Sequence, residues 1–270
     1  MTLVLAILAG VLIGLSLGAL GGGGSILAVP VLVYVLDQSA SQATTGSLVV
    51  VGVSSLMGVV FASRAGHVLL ARGVAFGTVA LGGAALGALA SARVPEPVLL
   101  ASFAVLMLVV VGVMVVRLVR GSAAPETRPT LDDPIITFSP TFACRCPQAL
   151  KVLVTATAVG LLTGFLGVGG GFLVVPALLV ALALPMDYAA GTSLVVITMT
   201  SAVALAVRAG SGTSPDWGIV IALTAAATLS TAVGVKVADR VDTDKLQIAF
   251  TVLILGVAVY TAAQALPALV

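Results

Sequence analysis

The sequence predicts an all-α integral membrane protein made of two inverted repeats of about five apolar segments each, with a glycine-broken re-entrant hairpin in each repeat. Three observations support this. The 270 residues are 60% hydrophobic and 8% charged, whereas soluble domains carry roughly 25% charged residues. The apolar runs lack strand-like alternation and mostly reach the ~20 residues with which a helix crosses a bilayer. Finally, the second half of the chain repeats the first.

The order of the segments defines the repeats. Ten apolar segments fall at about 3–20, 25–36, 40–62, 71–92, 97–119, 149–166, 171–184, 188–208, 217–238 and 246–266. The stretch between the fifth and the sixth holds prolines, charges and small polar residues, which is typical of a linker outside the membrane. We therefore predict a first transmembrane repeat over residues 1–120, a cytoplasmic linker over 121–148 and a second transmembrane repeat over 149–270.

The first two segments of each half carry the strongest internal match. At a constant offset of 146, identical residues pair without gaps from Gly14 on Gly160 to Ser55 on Ser201. The match includes two glycine clusters, GALGGGGS at 18–25 and GFLGVGGG at 164–171, which end five residues before Pro30 and Pro176 respectively. Because glycine frees the backbone and weakens helices, both clusters interrupt an apolar run.

The second segment is too short to span a membrane. Twelve residues make ~18 Å of helix against a hydrocarbon core of ~30 Å. The first and second segments therefore form either one long broken helix or a hairpin that leaves on the side it entered.

Loop charges favour the hairpin. Lys and Arg accumulate in cytoplasmic loops. They are concentrated after the third segment of the first half and after the fourth segment of the second half, and also in and around the linker: Arg64, Arg72, Arg117, Arg120, Arg128, Arg145, Lys151, Lys236, Arg240 and Lys245. Equivalent loops then lie on opposite sides, and both termini lie outside. Inverted repeats with interrupted helices are a recurring plan of secondary transporters.

The segment after each glycine cluster predicts an anion site. Its first amides have no partner within the helix and carry the positive end of the helix dipole. The predicted donors are the backbone amides of Gly22, Gly23, Gly24, Ser25, Val168, Gly169, Gly170 and Gly171. The alternative is tight helix packing through small residues. Packing is the favoured interpretation for Gly10, Gly14 and Gly18, whose spacing suits it.

Hydroxyl side chains form a second candidate group in the third segment of each half: Thr45, Ser47, Ser54, Thr192, Ser193 and Thr200. Seven residues separate Ser47 from Ser54, so both lie on one helix face, and Ser193 and Thr200 repeat this spacing. Such hydroxyls either line a polar path or bond to carbonyls of their own helix, and the sequence leaves both alternatives open.

Charged residues are scarce within the apolar segments. Arginines near segment ends are expected to reach for the interface. We single out Arg208 as a gate or charge partner, since its loop has few other charges. No carboxylate cluster for Na⁺ or proton relay is evident, and His67 stands alone near a loop. Motifs of intramembrane enzymes and nucleotide-driven pumps are missing. We expect no enzyme activity, metal, cofactor or nucleic-acid partner, and we interpret Cys144 and Cys146 as ordinary loop cysteines rather than a redox pair.

These patterns resemble the TauE/SafE family of sulfite exporter-like permeases. The residues that carry the resemblance are Gly14, Gly18, Gly21 to Gly24, Pro30, the run from Ala43 to Leu48, and their second-half copies Gly160, Gly164, Gly167, Gly169 to Gly171, Pro176 and the run from Ala189 to Leu194. The resemblance implies a carrier of the bacterial or archaeal cytoplasmic membrane that exports sulfite, sulfonates or related organic anions with the proton motive force. Val168 departs from the glycine pattern, because the first cluster has Gly22 at the equivalent position.

The leading hypothesis is a secondary transporter of a small anion in a lipid bilayer, with the possibility of a homo-oligomer left open. Two rivals remain: an uncoupled anion channel or facilitator, and a membrane scaffold that transports nothing. The transporter hypothesis predicts that Gly23→Val and Gly170→Val each abolish transport by a folded protein.

Overall fold

All regular secondary structure is helical in the computed structural model, which describes residues 2–91, 94–119, 146–167, 171–182, 184–209 and 215–265. The helices are α1 (Thr2–Leu20), α2 (Gly23–Pro30), which continues as a π-helical turn (Val31–Val35), α3 (Ala40–Arg64), α4 (Leu70–Ser91), α5 (Glu96–Val119), α6 (Cys146–Leu166), α7 (Gly171–Ala181), α8 (Met186–Ala209), α9 (Trp217–Ala238) and α10 (Thr243–Ala265). The all-α prediction is confirmed, with one helix for each predicted segment.

Among the described residues, five helices are long and apolar enough to cross a membrane, namely α1, α3, α4, α8 and α9. Shorter apolar stretches lie in the other five. Large aliphatic side chains point outward, with Leu86 61% exposed and Leu229 76% exposed. An apolar outer surface of this kind is expected where lipid is the solvent.

Both hairpin turns use a glycine in the left-handed region. Gly21 (φ +68°) follows α1, and its equivalent Gly167 (φ +64°) follows α6. Glycine adopts this conformation without the steric cost that a side chain incurs. The interrupted first and second segments predicted from the clusters are therefore present as separate helices, α1 with α2 and α6 with α7.

Small residues set the closest helix pairs. A Cβ on Gly14 would overlap the carbonyl oxygen of Ala227 in α9, and a Cβ on Gly164 would overlap that of Ala84 in α4. Gly10 and Gly18 face α9 in the same way, so the packing role predicted for the triplet is confirmed. Such glycines let helix backbones meet directly, which is the usual basis of helix association in lipid.

The closest helix pairs each join a helix of one half to a helix of the other. The first helix of each half packs on the fourth helix of the other, α1 on α9 and α6 on α4. The two third helices, α3 and α8, pack on each other, as do the two fifth helices, α5 and α10. The described part of the chain thus has a pseudo-two-fold pattern of contacts, in which neither half forms a closed bundle by itself.

The equivalent helices α3 and α8 run in opposite directions. Thr44 contacts Arg208, Gly52 lies against Ser201, and Gly58 lies against Leu194. By contrast, α1 and α9 run parallel, because Gly10 lies against Leu223 and Gly18 against Thr231. This order supports the predicted inversion of the repeats, which stays a prediction with respect to the membrane.

The linker falls almost entirely outside the described residues, and Cys144 lies there too. The helix α6 begins at Cys146, within the range that we predicted as linker. Pro147 lies in its first turn, where a missing backbone donor costs nothing.

Candidate functional site

The starts of α2 and α7 meet in the interior. A Cβ on Gly22 would overlap the carbonyl group of Gly171. A Cβ on Gly171 would lie 2.7 Å from both the Cα of Gly22 and the Oγ of Ser25. All three residues are buried. The two predicted half-sites therefore converge, and glycine is required because backbone meets backbone.

Each glycine turn also rests on the third helix of the opposite half. A Cβ on Gly21 would lie 2.7 Å from the Oγ of Ser193, and the Oγ of Ser47 donates a hydrogen bond to the carbonyl oxygen of Gly167. Ser47 and Ser193 are equivalent residues, and both are fully buried. Two of the predicted hydroxyls thus lie directly on the turns.

Both hydrogen-bond donors of Ser25 are already engaged in this conformation. Its backbone N–H and its Oγ both donate to the carbonyl oxygen of Gly22, over 3.2 and 2.7 Å. Gly24 packs against α1, where a Cβ would overlap the carbonyl oxygen of Ile13. Gly23 is less constrained, because its Cβ would meet only side-chain atoms, the nearest being the Cβ of Leu20 at 3.1 Å. Val168, Gly169 and Gly170 lie outside the described residues.

The other predicted hydroxyls mostly bond to their own helices. Thr45 donates to Ser41 O over 3.1 Å, Ser193 to Ala190 O over 2.7 Å and Thr200 to Val196 O over 2.9 Å. Of the two alternatives that the sequence leaves open, bonding within the helix is the one present here. The hydroxyl protons are therefore engaged, and an anion needs them to rotate away.

Ser54 and Thr192 bond to other elements. Ser54 Oγ lies 3.4 Å from Thr228 Oγ1 of α9, and Thr192 Oγ1 accepts from the backbone N–H of Leu69 over 3.1 Å. Ser47 faces the second turn while Ser54 faces α9, so these two do not share one polar partner despite their spacing.

Ser55 and Ser201 are site candidates that the prediction omitted. They are equivalent in the repeat, they are 0% and 1% exposed, and neither Oγ has a hydrogen-bond partner among the described residues. Unpaired buried hydroxyls are uncommon in native structures. Their identity in both halves was the available signal.

Arg208 is buried among helix ends. Its side chain is 7% exposed, so the interfacial position expected of arginines near segment ends is wrong for this one. Its Nη1 donates to Thr44 Oγ1 of α3 over 2.9 Å, and its Nη2 donates to Ser91 Oγ of α4 over 2.6 Å.

The same guanidinium closes the end of α6. Nη2 also lies 3.3 Å from the carbonyl oxygen of Gly164 and 3.4 Å from that of Phe165. These carbonyls stand at a helix C-terminus, where a positive charge is favourable. Arg208 thus ties four helices together beside the second glycine turn.

A small polar cavity lies beside the first turn. It measures about 40 Å³, and its lining includes Gly18, His67, Asp187 and Asp239. His67 is not alone: its Nδ1 lies 3.1 Å from Asp239 Oδ1, and its ring meets Tyr188 edge to face. Asp187 Oδ1 is buried without a hydrogen-bond partner among the described residues. Larger cavities, of about 490 and 540 Å³, lie among the mostly aliphatic side chains of α5 and α6.

No metal cluster is evident in the described ranges, where no three His, Cys, Asp or Glu side chains are placed to hold one ion. The groups that the structure brings together around the glycine turns are two helix starts, hydroxyls and one buried guanidinium. Such a set can hold an anion without forming a covalent bond to it.

Comparison with known proteins gives a consistent result. A family model described as "Sulfite exporter TauE/SafE" matches residues 6–261. A "Probable membrane transporter protein" of Xylella fastidiosa strain 9a5c is 31% identical over 262 residues, which is 96% of this chain and 94% of the relative. One of the same description from strain Temecula1 is 34% identical over 197 residues, 73% of this chain and 70% of the relative. No solved structure matches.

Proposed function

The chain belongs to the sulfite exporter TauE/SafE family of multi-pass membrane transporters, and from that premise we propose that it is a secondary transporter that exports a small anion. Sulfite, a sulfonate or a related organosulfur anion is the proposed substrate, and the proton motive force is the proposed energy source. The proposed location is the bacterial or archaeal cytoplasmic membrane, with both termini outside and residues 121–148 as a cytoplasmic linker between the two repeats.

The convergence of the starts of α2 and α7 carries this proposal. Two helix starts that meet at Gly22 and Gly171 bring two positive dipole ends to one place, which favours an anion between them. Since these glycines touch in the present conformation, binding requires the two starts to separate. The amides of Gly22, Gly23, Gly24, Gly169, Gly170 and Gly171 are the proposed donors.

Serine and threonine hydroxyls form the proposed edge of the anion site. A serine or threonine proton that now bonds to a helix carbonyl can rotate toward a ligand at the cost of that local bond. Ser25, Ser47 and Ser193 lie nearest the glycine turns. Thr45, Ser54, Thr192 and Thr200 are the proposed continuation along α3 and α8.

A panel of anions tests substrate binding directly. We expect sulfite, thiosulfate, taurine or sulfoacetate to raise the unfolding temperature of the purified protein in detergent. The reason is that a ligand at 100 times its Kd adds about 2.7 kcal/mol to the stability of the folded state. Sulfate and simple carboxylates are the matched comparisons. Failure of every sulfur anion to shift the transition would contradict the proposed substrate class.

The two rival functions give different results in liposomes. For an uncoupled channel, flux down an anion gradient stays unchanged when the pH difference is collapsed. For a scaffold, no anion moves faster than in empty liposomes. A coupled exporter responds to both the gradient and the pH difference.

A further inference from the structure

We infer that the polar cavity beside the first glycine turn is the vestibule through which the anion is loaded, and that Arg208 seals the equivalent space at the second turn. This inference deepens the proposed function and rests on it. It follows from the pseudo-two-fold relation between the halves, together with the lining of the cavity and the buried Asp187 Oδ1.

The cavity occupies the position that corresponds to Arg208. At the offset of 146, Ala62 is equivalent to Arg208, and Ala62 lines the cavity. Gly18 also lines it and is equivalent to Gly164, whose carbonyl oxygen lies 3.3 Å from Arg208 Nη2. The second half has the buried guanidinium of Arg208 at this place, whereas the first half has only the methyl group of Ala62 and the cavity.

The hydrogen-bond partners of Arg208 are replaced in the same way. Ala190 is equivalent to Thr44 at the offset of 146, and Ala238 is equivalent to Ser91 at the offset of 147 that aligns the fourth helices. Both alanines line the cavity. Two hydroxyls that hold the guanidinium in one half are therefore missing in the other, where alanine stands at both positions.

The mouth of the cavity is built to hold water. A volume of about 40 Å³ has room for a few water molecules, since one requires roughly 10–15 Å³ by this measure. Asp187 Oδ1 is buried without a protein partner among the described residues, and a buried carboxylate oxygen is expected to be hydrogen-bonded. Water in this space satisfies it and makes the cavity polar.

The lining of the cavity carries the carboxylates of Asp187 and Asp239 beside His67, so the attraction for an anion has to come from basic residues on the adjoining helix ends. Arg64 closes α3, Lys236 stands in the last turn of α9, and Arg240 follows it. His67 Nδ1 lies 3.1 Å from Asp239 Oδ1. This end of the molecule carries the loops that the charge pattern places in the cytoplasm, which is where an exporter collects its substrate.

Cysteine accessibility tests the vestibule independently of transport. In a background with Cys144→Ser and Cys146→Ser, Ala62→Cys lies in the lining of the cavity, and Ser91→Cys lies beside Arg208 in the equivalent space at the second turn. We expect a small hydrophilic thiosulfonate reagent to modify Ala62→Cys at least tenfold faster than Ser91→Cys, and from the cytoplasmic face of membrane vesicles only. Equal rates, or modification of Ala62→Cys from the other face, would overturn the inference.

The variant Ala62→Arg places a second plug in the vestibule. We expect it to reduce anion flux in liposomes at least tenfold. Full flux through a folded Ala62→Arg protein contradicts the vestibule. If labelling succeeds but no variant moves an anion, the proposed function fails and anion loading fails with it, and the labelling shows only that water reaches the cavity. If anions move but Ala62→Cys stays unlabelled, the vestibule fails and the proposed function stands.

Discussion

Replacing Arg208 with leucine is expected to convert the protein into an anion leak. The guanidinium joins α3, α4 and α6 to α8 through Thr44, Ser91, Gly164 and Phe165. Without it, the carbonyl oxygens of Gly164 and Phe165 lose this donor, and the closed conformation loses the cross-link. A buried acceptor left unsatisfied costs about 1–3 kcal/mol. The population open at this end then rises about tenfold or more, which is measured as potential-driven efflux of sulfite from liposomes.

Arg208→Lys is the matched control for charge. Lysine keeps the positive charge but presents a compact ammonium instead of a planar fork, so it cannot contact all four oxygens in the same way. We expect a leak between those of the original protein and Arg208→Leu. A folded Arg208→Leu protein whose efflux equals that of the original protein would show that Arg208 does not seal the path.

The second large effect is expected at the glycine turn. Gly23→Val should abolish transport by a protein that still folds, since the added Cβ meets only side-chain atoms of Leu20 and Leu253, at 3.1 to 3.3 Å. The branched side chain would stand at the start of α2, where the proposed anion binds. Gly82→Val is the matched control, because a Cβ at Gly82 has nothing within 4 Å. Flux in liposomes and the unfolding temperature are measured for both variants.

Gly22→Ala separates packing from ligand binding. A Cβ at Gly22 would overlap backbone atoms of Gly171, and a clash between two backbones has no flexible side chain to relieve it. We expect a lower yield of folded protein from Gly22→Ala, in contrast to Gly23→Val. Normal flux in Gly23→Val would exclude the start of α2 from the binding site. The expectation for Gly170→Val is the same, at a residue outside the described ranges.

The helices and the breaks between them could be predicted from the local sequence. Long apolar runs predict helices, and Gly21 and Gly167 adopt a positive φ at the places where the glycine clusters predict interruption. The repeat offset also indicated which residues are equivalent, for instance Ser47 and Ser193. Each of these features depends on composition and spacing along a single chain.

The contacts of the charged groups could not be predicted from the sequence, because they join residues that are far apart in it. Arg208 and Thr44 are separated by 164 residues, and His67 and Asp239 by 172. The repeat relates equivalent positions, whereas these contacts join positions that are not equivalent. Hydroxyl orientation was also undetermined, since a serine in a helix has a local carbonyl partner available in almost any environment.

Differences between the halves, rather than their similarity, distinguish the two ends of the molecule. Ala62 stands where the second half has Arg208, and Val168 stands where the first half has Gly22. A fully symmetric pair of repeats has two equal ends. The end sealed by Arg208 and the proposed vestibule at the other end would together represent one conformation of an alternating-access cycle.

The flux of sulfite in proteoliposomes under an imposed potassium diffusion potential tests the proposed anion transport most directly. We expect saturable flux that depends on the protein and increases when the potential is positive on the receiving side. This flux should disappear in Gly23→Val but not in Gly82→Val. Flux of sulfite, thiosulfate and sulfonates no faster than in protein-free liposomes, with protein shown to be folded and inserted, would contradict it.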